Sequence, residues 1–433
     1  MNISGWGKNN IINSEIVYPE NDAEIIKIIK SLKNGSIITR GLGRSYGDMS
    51  LNKNALSLEK YEKYYNLDEE TGILDCSANV SISEILEKII NKGWFLNVSP
   101  GSKFVTIGGA IANDVHGKNH HKDGSFSDYI VELKLIIPDG TIRVCSKKKD
   151  SQLFRATCGG AGLTGIIIST KIKLLSISSK NIDVKTFKTK SIKETLKKFK
   201  ELEKSKYLVA WLDTKNKKNL GRSVVFSGEH SDDKNLDFKL KKGFKLSSLF
   251  GKIIMNSFFI SIFNKFYYLI HKNNSNQKKD IDNFFYPLDR ILNWNELYGK
   301  KGFTQLQILI KDENKYEEIL NQVLNFFMNK KIYSFLSTLK EYGKGNDNYL
   351  SFAESGLSIT LDIPIKENFF EIYKEFERTF SNQSVKIYLA KDSFMSENFF
   401  KNTYNKISLF KEMKKKIDPE YKLQSIQSKR LGL

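Results

Sequence analysis

Residues 40–48 read RGLGRSYGD, residues 100–121 read PGSKFVTIGGAIANDVHGKNHH, and residues 159–165 read GGAGLTG. Glycine either makes tight turns or clears side chains so that backbone N–H groups can approach a ligand. Any one of these loops would pass as an ordinary turn. Taken together, with Arg44, Ser45, Ser102, Thr106, Asn113 and His116 adding side-chain donors, they suit a pyrophosphate held mainly by backbone amides. The familiar nucleotide motifs do not account for them. GAGLTG at 160–165 fits G-x-G-x-x-G, but that fingerprint needs a strand before it and a helix after it. Here DSQLFRATCG reads as a helix and GIIIST as a strand, so the Rossmann reading is weak. The glycines at 41, 43 and 47 have the wrong spacing, and no GxxxxGK[ST] exists for a P-loop.

The elements that would position these loops can be read around them. VYPENDAEIIKIIKSL predicts a strand and then a helix opened by Asn21 or Asp22, with Ile25, Ile26, Ile28 and Ile29 on its apolar face. SIITRGLGRSYGD predicts a short strand running into the first glycine loop. GILDCSANVSISEILEKIINKGW repeats the theme as a strand, a Ser-capped helix and Gly93 as the stop. From about 179 to 385 the texture changes to longer apolar strands, KYLVAWLDT, FTQLQILI and GLSITLDIPI, with helices such as DENKYEEILNQVLNFF between them. That is an α+β pattern with a sizeable antiparallel sheet.

The chain has 433 residues, more than one hydrophobic core usually supports, which predicts two domains. A formal charge of +20 favours anionic partners, although a Lys- and Asn-rich coding bias that only solvates the surface would give the same number. The three cysteines, Cys76, Cys145 and Cys158, have no CxxC spacing, so neither a disulfide framework nor a zinc site is expected and a reducing compartment fits. The opening MNISGWGKNN has no basic segment followed by an apolar run, which argues against a secretory signal. The segment 240–272 interleaves aromatic and aliphatic residues with lysines. Its longest charge-free run, Ile253 to Asn264, is short of the roughly 20 apolar residues needed to cross a bilayer. Two readings stay open: a segment lying on a membrane surface, or a helical excursion packed on its own domain.

In order, RGLGRSYGD, PGSKFVTIGGAIANDVHGKNHH and GGAGLTGII resemble the FAD-binding domain of the vanillyl-alcohol oxidase and p-cresol methylhydroxylase (PCMH) type. Within that superfamily, HGKNHHKDGSFSD, YLVAWLD followed by LGRSVV, YPLD, GFTQLQILI and YLAKDS are similar to the decaprenylphosphoryl-β-D-ribose 2′-oxidase family. The likeness runs from SGWG at residue 4 to the C-terminal tail and is least constrained at 240–272. It implies a two-domain α+β architecture. Residues 1–178, completed by 386–433, would hold FAD in a PCMH-type domain of two α/β subdomains. Residues 179–385 would form an antiparallel-sheet substrate domain over the flavin's reactive face.

The same resemblance places cofactor contacts on Arg40, Gly41, Leu42, Gly43, Arg44, Ser45, Tyr46, Gly47 and Asp48 in the first loop, and on Gly101, Thr106, Ile107, Gly108, Gly109, Asn113 and His116 in the second. Ile166 and Tyr388 complete the set. Many superfamily members attach the flavin through a histidine of the first loop. Arg44 stands at that position, which implies noncovalent FAD. Substrate contacts are expected at Lys118, Gln305, Gln307, Lys340, Ser358, Thr360 and Lys391, and no metal is expected. Oxidising a secondary alcohol requires loss of the hydroxyl proton and hydride transfer to flavin N5, with the protein supplying position and charge. Lys391 is the first candidate for stabilising the reduced flavin or aligning the substrate, and Lys118 the second. His116 or Tyr388 would relay the proton, and the residues do not choose between them.

Each assignment has a plainer competitor. A lysine in so basic a chain is ordinarily a solvated charge, and only motif position lifts Lys118, Lys340 and Lys391 above that. His120 and His121, read as neighbours on a strand, would face opposite ways and serve structural hydrogen bonds rather than a metal. Gln305 and Gln307, two apart on a strand, share a face and could bond sugar hydroxyls, as ordinary polar edge residues would also do. Thr360 stands where some family members carry a cysteine, so no thiol nucleophile is expected there.

The function so implied is oxidation of a secondary sugar hydroxyl, the 2′-OH of a polyprenylphosphoryl-β-D-ribose, as the first half of an epimerisation to arabinose finished by a short-chain reductase. The protein would be cytoplasmic and held peripherally at the inner face of the plasma membrane. The alternatives are an oxidase of soluble alditols or aldonolactones and, in a different class, a basic nucleic-acid-binding protein. The last explains the charge but not the loops, and nucleic acid is not expected as a partner.

Overall fold

The computed structural model describes residues 1–247, 251 and 257–433. After an antiparallel pair of Asn2–Ser4 with Ile11–Asn13 comes a small parallel sheet, with Asn54–Leu56 between Glu15–Val17 and Ile38–Thr39. The helix Asp22–Ser31 follows Glu15–Val17. Asn21 caps it by accepting from the Glu24 amide, and of its isoleucines only Ile25 and Ile29 are fully buried.

Next to it lies a six-stranded antiparallel sheet centred on the long strand Ile166–Ser176, which pairs with Ile130–Ile136, Ile73–Ser77 and Trp94–Leu96. Ile82–Ile90 shares its core. A capping box between Ser81 and Glu84 starts this helix, and Ile82, Ile85, Leu86, Ile89 and Ile90 form one apolar stripe at helical spacing.

From Asn181 onward the chain builds an eight-stranded sheet whose pairings are all antiparallel. Its order is Ser275–Asp280, Asn181–Thr189, Ser223–His230, Tyr207–Leu212, Ser337–Tyr342, Gly356–Pro364, Phe303–Ile310 and Val385–Ile387. Strand alternation splits the central strands into two faces. Leu306, Ile308, Leu339, Ile359 and Leu361 join one apolar cluster with Ile319, Leu320 and Val323 of the helix Tyr316–Asn329 and with Phe369 and Phe376 of the helix Phe369–Phe380. Burying each such aliphatic side chain contributes about 1.5–3 kcal/mol. The intervening residues are polar. In register, Gln307 pairs with Thr360 and Thr360 with Thr338, while Ser358 pairs with Lys340.

After Val385–Ile387 the chain returns to the first half. Ile37 donates to Lys422 and accepts from Gln424 through the backbone, at 2.7 and 3.0 Å. The short helix Ile426–Leu431 carries Arg430 to Asp48 and Asp392. Residues 248–250 and 252–256 of the basic apolar segment, including the start of the charge-free run, lie outside the described residues. Its helix Ser257–Ile270 buries Ile260 and Asn264 and exposes Phe259, Ile262, Phe266, Leu269 and Ile270. Among the described residues no helix is long and apolar enough to cross a membrane.

Candidate active site

The three glycine loops, read from distant stretches of sequence, line one cavity of about 780 Å³ through Gly41–Tyr46, through Gly101, Thr106, Gly108 and Gly109, and through Ala161, Gly162 and Gly165. The first loop is an arch. The Arg40 amide bonds Leu56 and the Tyr46 amide bonds Ala390, both at 2.8 Å, while the amides from Gly41 to Ser45 have no partner among the described residues. Gly43 sits at φ +63° to make the turn. Gly47 lies so close to the Leu389–Lys391 turn that a Cβ would meet the Asp392 carbonyl at 1.8 Å. The second loop differs from the expectation that its amides face the anion. Ile107 and Gly108 donate to Val80 and Ala78, both at 2.8 Å, and Gly109 to Thr106 Oγ1 at 3.1 Å, so they are spent on the fold.

Arg44 reaches over this arch. Its guanidinium stacks on Trp6 at 3.9 Å and lies 5.3 Å from the Phe104 ring, and its buried Nε has no partner. Burial lowers its pKa, and Asp289 and Tyr46 oppose that. Asp289 accepts from Ser102 Oγ at 2.8 Å and from the Lys103 amide at 2.7 Å, which ties the second loop to the large sheet's domain. Asn113 Oδ1, His116 Nδ1 and Thr39 Oγ1 are likewise buried without partners. An arch of unpaired amides, an unpaired arginine nitrogen and orphaned donors and acceptors in one roomy cavity fit a dinucleotide such as FAD.

The opposite wall is the polar face of the eight-stranded sheet. Gln305, Thr338, Lys340 and Thr360 line the cavity, joined by Lys118, Tyr388 and Lys391. Burial pushes Lys391 down to about 7, with the charge of Lys340 adding to it and Asp362 opposing it. Burial likewise brings Lys118 to about 7 and Lys340 to about 8. Asp362, beneath Gln305, is raised to about 6 by burial. It accepts hydrogen bonds from Gln305 Nε2 and from Tyr298 at 2.8 Å.

His116 is neutral at physiological pH, because burial and then the charges of Lys340 and Lys391 hold it well below the usual imidazole range. Its Nε2 is 3.0 Å from Gln307 Nε2, which also bonds Tyr342 Oη at 2.8 Å and Ser358 Oγ at 3.1 Å. The Tyr388 hydroxyl donates to the Asn113 carbonyl at 3.0 Å, and burial raises its pKa well above the phenol range, so a phenolate is not available.

Of the residues singled out above, Gly47, Asp48, Ile107, Ile166, Gln307 and Ser358 lie behind the cavity wall rather than on it. Leu42 is half exposed at the rim. His120 and His121 stand in a short helical turn, His120–Asp123, not on a strand. His121 Nε2 is bonded to the Ser205 carbonyl at 2.8 Å, and the His120 ring packs 4.7 Å from Tyr342. The described residues contain no cluster of three or more His, Cys, Asp or Glu able to hold a metal. Sequence reasoning missed Trp6, Phe104, Asp289 and Asp362, and the one available hint was their proximity to SGWG, PGSKF, YPLD and LDIPI.

Residues 14–146 match the family model for an FAD binding domain, and the chain is an FAD-dependent oxidoreductase built on a PCMH-type FAD-binding fold. Over its whole length it is similar to decaprenylphosphoryl-beta-D-ribose oxidase of Mycolicibacterium smegmatis. The two are 29% identical over 449 aligned residues, which take in 100% of this chain and 97% of the relative. Similarity to a putative D-arabinono-1,4-lactone oxidase of Neurospora crassa, at 27% identity, covers 36% of this chain and 29% of that protein. For the D-arabinono-1,4-lactone oxidase of Candida glabrata the values are 26%, 43% and 35%.

Proposed function

We propose that the chain oxidises the 2′-hydroxyl of a polyprenylphosphoryl-β-D-ribose to a ketone, the first half of an epimerisation that a separate short-chain reductase completes. The observation that carries this reading is the polar row of the large sheet, Gln305, Thr360 and Lys340, set across one cavity from the glycine arch and beside Lys391. The whole-chain similarity to a ribose oxidase supports the same sugar. In this reading residues 1–178 and 386–433 hold the cofactor and 179–385 present the substrate.

FAD, when bound, supplies a two-electron acceptor for the hydride leaving the carbon that bears the hydroxyl. The amides from Gly41 to Ser45 and the Arg44 guanidinium hold its pyrophosphate without a covalent link. Gln305 and Thr360 orient the sugar. Lys391, poised near neutrality by its burial, takes the hydroxyl proton as the free amine. His116 stays neutral and packs the floor against Tyr342 and Tyr388, whose rings lie 5.0 Å away. The helix Ser257–Ile270, apolar outward, rests on the inner face of the plasma membrane, where a lipid-linked substrate resides.

The test is anaerobic mixing of the purified holoprotein with farnesylphosphoryl-β-D-ribose and, in parallel, with D-arabinono-1,4-lactone. Bleaching of the flavin by the first, with a product two hydrogens lighter, is expected. Bleaching by the lactone alone would overturn the reading.

A further inference from the structure

Three lysines from separate elements line the cavity, and the charges of two of them act on the third. Lys118 follows the helix Ile107–Ala112, Lys279 lies on the edge strand Ser275–Asp280, and Lys340 on the strand Ser337–Tyr342. Lys118 Nζ has a backbone carbonyl, that of Phe285 at 3.1 Å, and lies 5.3 and 5.2 Å from the Phe284 and Phe285 rings. Lys279 faces Phe226 at 5.4 Å. No carboxylate offsets the burial of any of the three, and the charges of Lys340 and Lys279 both act against Lys118. Like charges gathered at a desolvated wall repel unless an anion joins them.

That anion is not the one at the glycine arch. Arg44 answers to Asp289 and Tyr46, and none of the three lysines acts on it. Nor is it Asp362, which acts on Lys391. Alongside the lysines the cavity has an aromatic stretch formed by Trp211, Phe226, Phe263, Tyr267 and Phe335. Phe263 and Tyr267 belong to the inner face of the helix Ser257–Ile270, packing 4.6 Å from Phe335 and 4.7 Å from Trp211.

We propose that Lys118, Lys279 and Lys340 form a second anion site that takes the phosphodiester joining sugar to lipid, with the first isoprene units lying along the aromatic stretch beneath the helix Ser257–Ile270. The identity of the sugar rests on the function proposed above, whereas the anion site rests on the lysines.

Calorimetric titration of the holoprotein with farnesyl phosphate, farnesol and inorganic phosphate tests it. Farnesyl phosphate should bind at least tenfold more tightly than either of the others. Lys279→Met should erase its advantage over farnesol, Lys279→Arg should keep it, and the flavin spectrum should be unchanged in both. Equal binding of farnesyl phosphate and farnesol, or an advantage that survives Lys279→Met, would overturn the site. Inorganic phosphate binding as tightly as farnesyl phosphate would overturn the lipid-linked assignment. If the site stands while prenylphosphoryl ribose is not oxidised, it is the functional reading that falls. An unchanged KM for that substrate in Lys279→Met removes the site and leaves the oxidation standing.

Discussion

The carboxylate of Asp362 fixes the orientation of Gln305. A carboxylate only accepts hydrogen bonds, so the end of Gln305 that meets it is the amide nitrogen, and the side chain, which also bonds Tyr46, lines the cavity in that one orientation. Tyr298 holds Asp362 from the other side at 2.8 Å. The cavity is thereby lined by a side chain held in one orientation, where an unsupported amide could present either end.

The same carboxylate acts on Lys391. If Lys391 accepts the proton as proposed, it must be the free amine, and turnover should rise with pH through about 7 and level off above it. Asp362→Asn removes the attraction that favours the ammonium, so the rising limb should move to lower pH. Stopped-flow flavin reduction between about pH 5 and 9 checks this. A limb that stays in place in Asp362→Asn, or a rate that falls across the range, contradicts it.

Arg44 is the side chain that should decide cofactor retention. If FAD is held noncovalently as proposed, acid precipitation of the wild-type protein should release the flavin into the supernatant. Arg44→Met keeps the packing against Trp6 but loses the charge and the unpaired nitrogen. Its FAD dissociation constant should rise tenfold or more, about 1.4 kcal/mol or above. Fluorescence titration of the flavin-stripped protein with FAD gives the number, and an unchanged constant would remove Arg44 from the cofactor site.

What could be read in the sequence follows what is local. The glycine loops, the capped helices and the period of two in FTQLQILI are encoded in neighbouring residues, and so the arch, the helix Ile82–Ile90 and the polar row could be anticipated. The contacts that finish the site are not local. Trp6 meets Arg44, Asp289 meets Ser102, and Arg430 meets Asp48 across 382 residues of chain. Lys279 lies in SNQKKD, which has no β-branched residue and reads as a solvated charge run. It becomes a strand only by pairing with Asn181–Thr189. HHKD misled because two adjacent histidines carry no periodicity, and one helical turn was enough to overturn a strand argument.

Arg430 should matter far from the hydroxyl chemistry. Its guanidinium bonds Asp48 and Asp392, both at 2.9 Å, and those carboxylates are 2% and 0% exposed. Removing the arginine leaves two buried charges against each other, a loss of about 3–5 kcal/mol. Arg430→Met should lower Tm by several degrees and shed flavin, because Gly47 rests against the Asp392 carbonyl. Arg430→Lys should recover little, since one ammonium cannot serve both carboxylates with the fork's geometry. Differential scanning calorimetry of the holoproteins decides, and a Tm within a degree of wild type for Arg430→Met would contradict the clasp.

The outward face of the helix Ser257–Ile270 gives the last prediction. Soluble helices bury their apolar stripe, yet here Phe266 and Leu269 are each 61% exposed while Asn264 is buried and bonded to Asp213 at 2.8 Å. Presenting a second apolar face outward, beyond the Ile260, Phe263 and Tyr267 face that packs inward, costs stability in water and is repaid at an interface that accepts it. The net charge of +20 adds attraction to anionic lipid. Wild-type protein should therefore float with vesicles of phosphatidylglycerol and phosphatidylethanolamine, and Phe266→Asp with Leu269→Asp should stay at the bottom of the gradient with its flavin intact. Deleting residues 240–272 should do the same. Equal flotation of all three proteins would show that charge alone brings the chain to the bilayer.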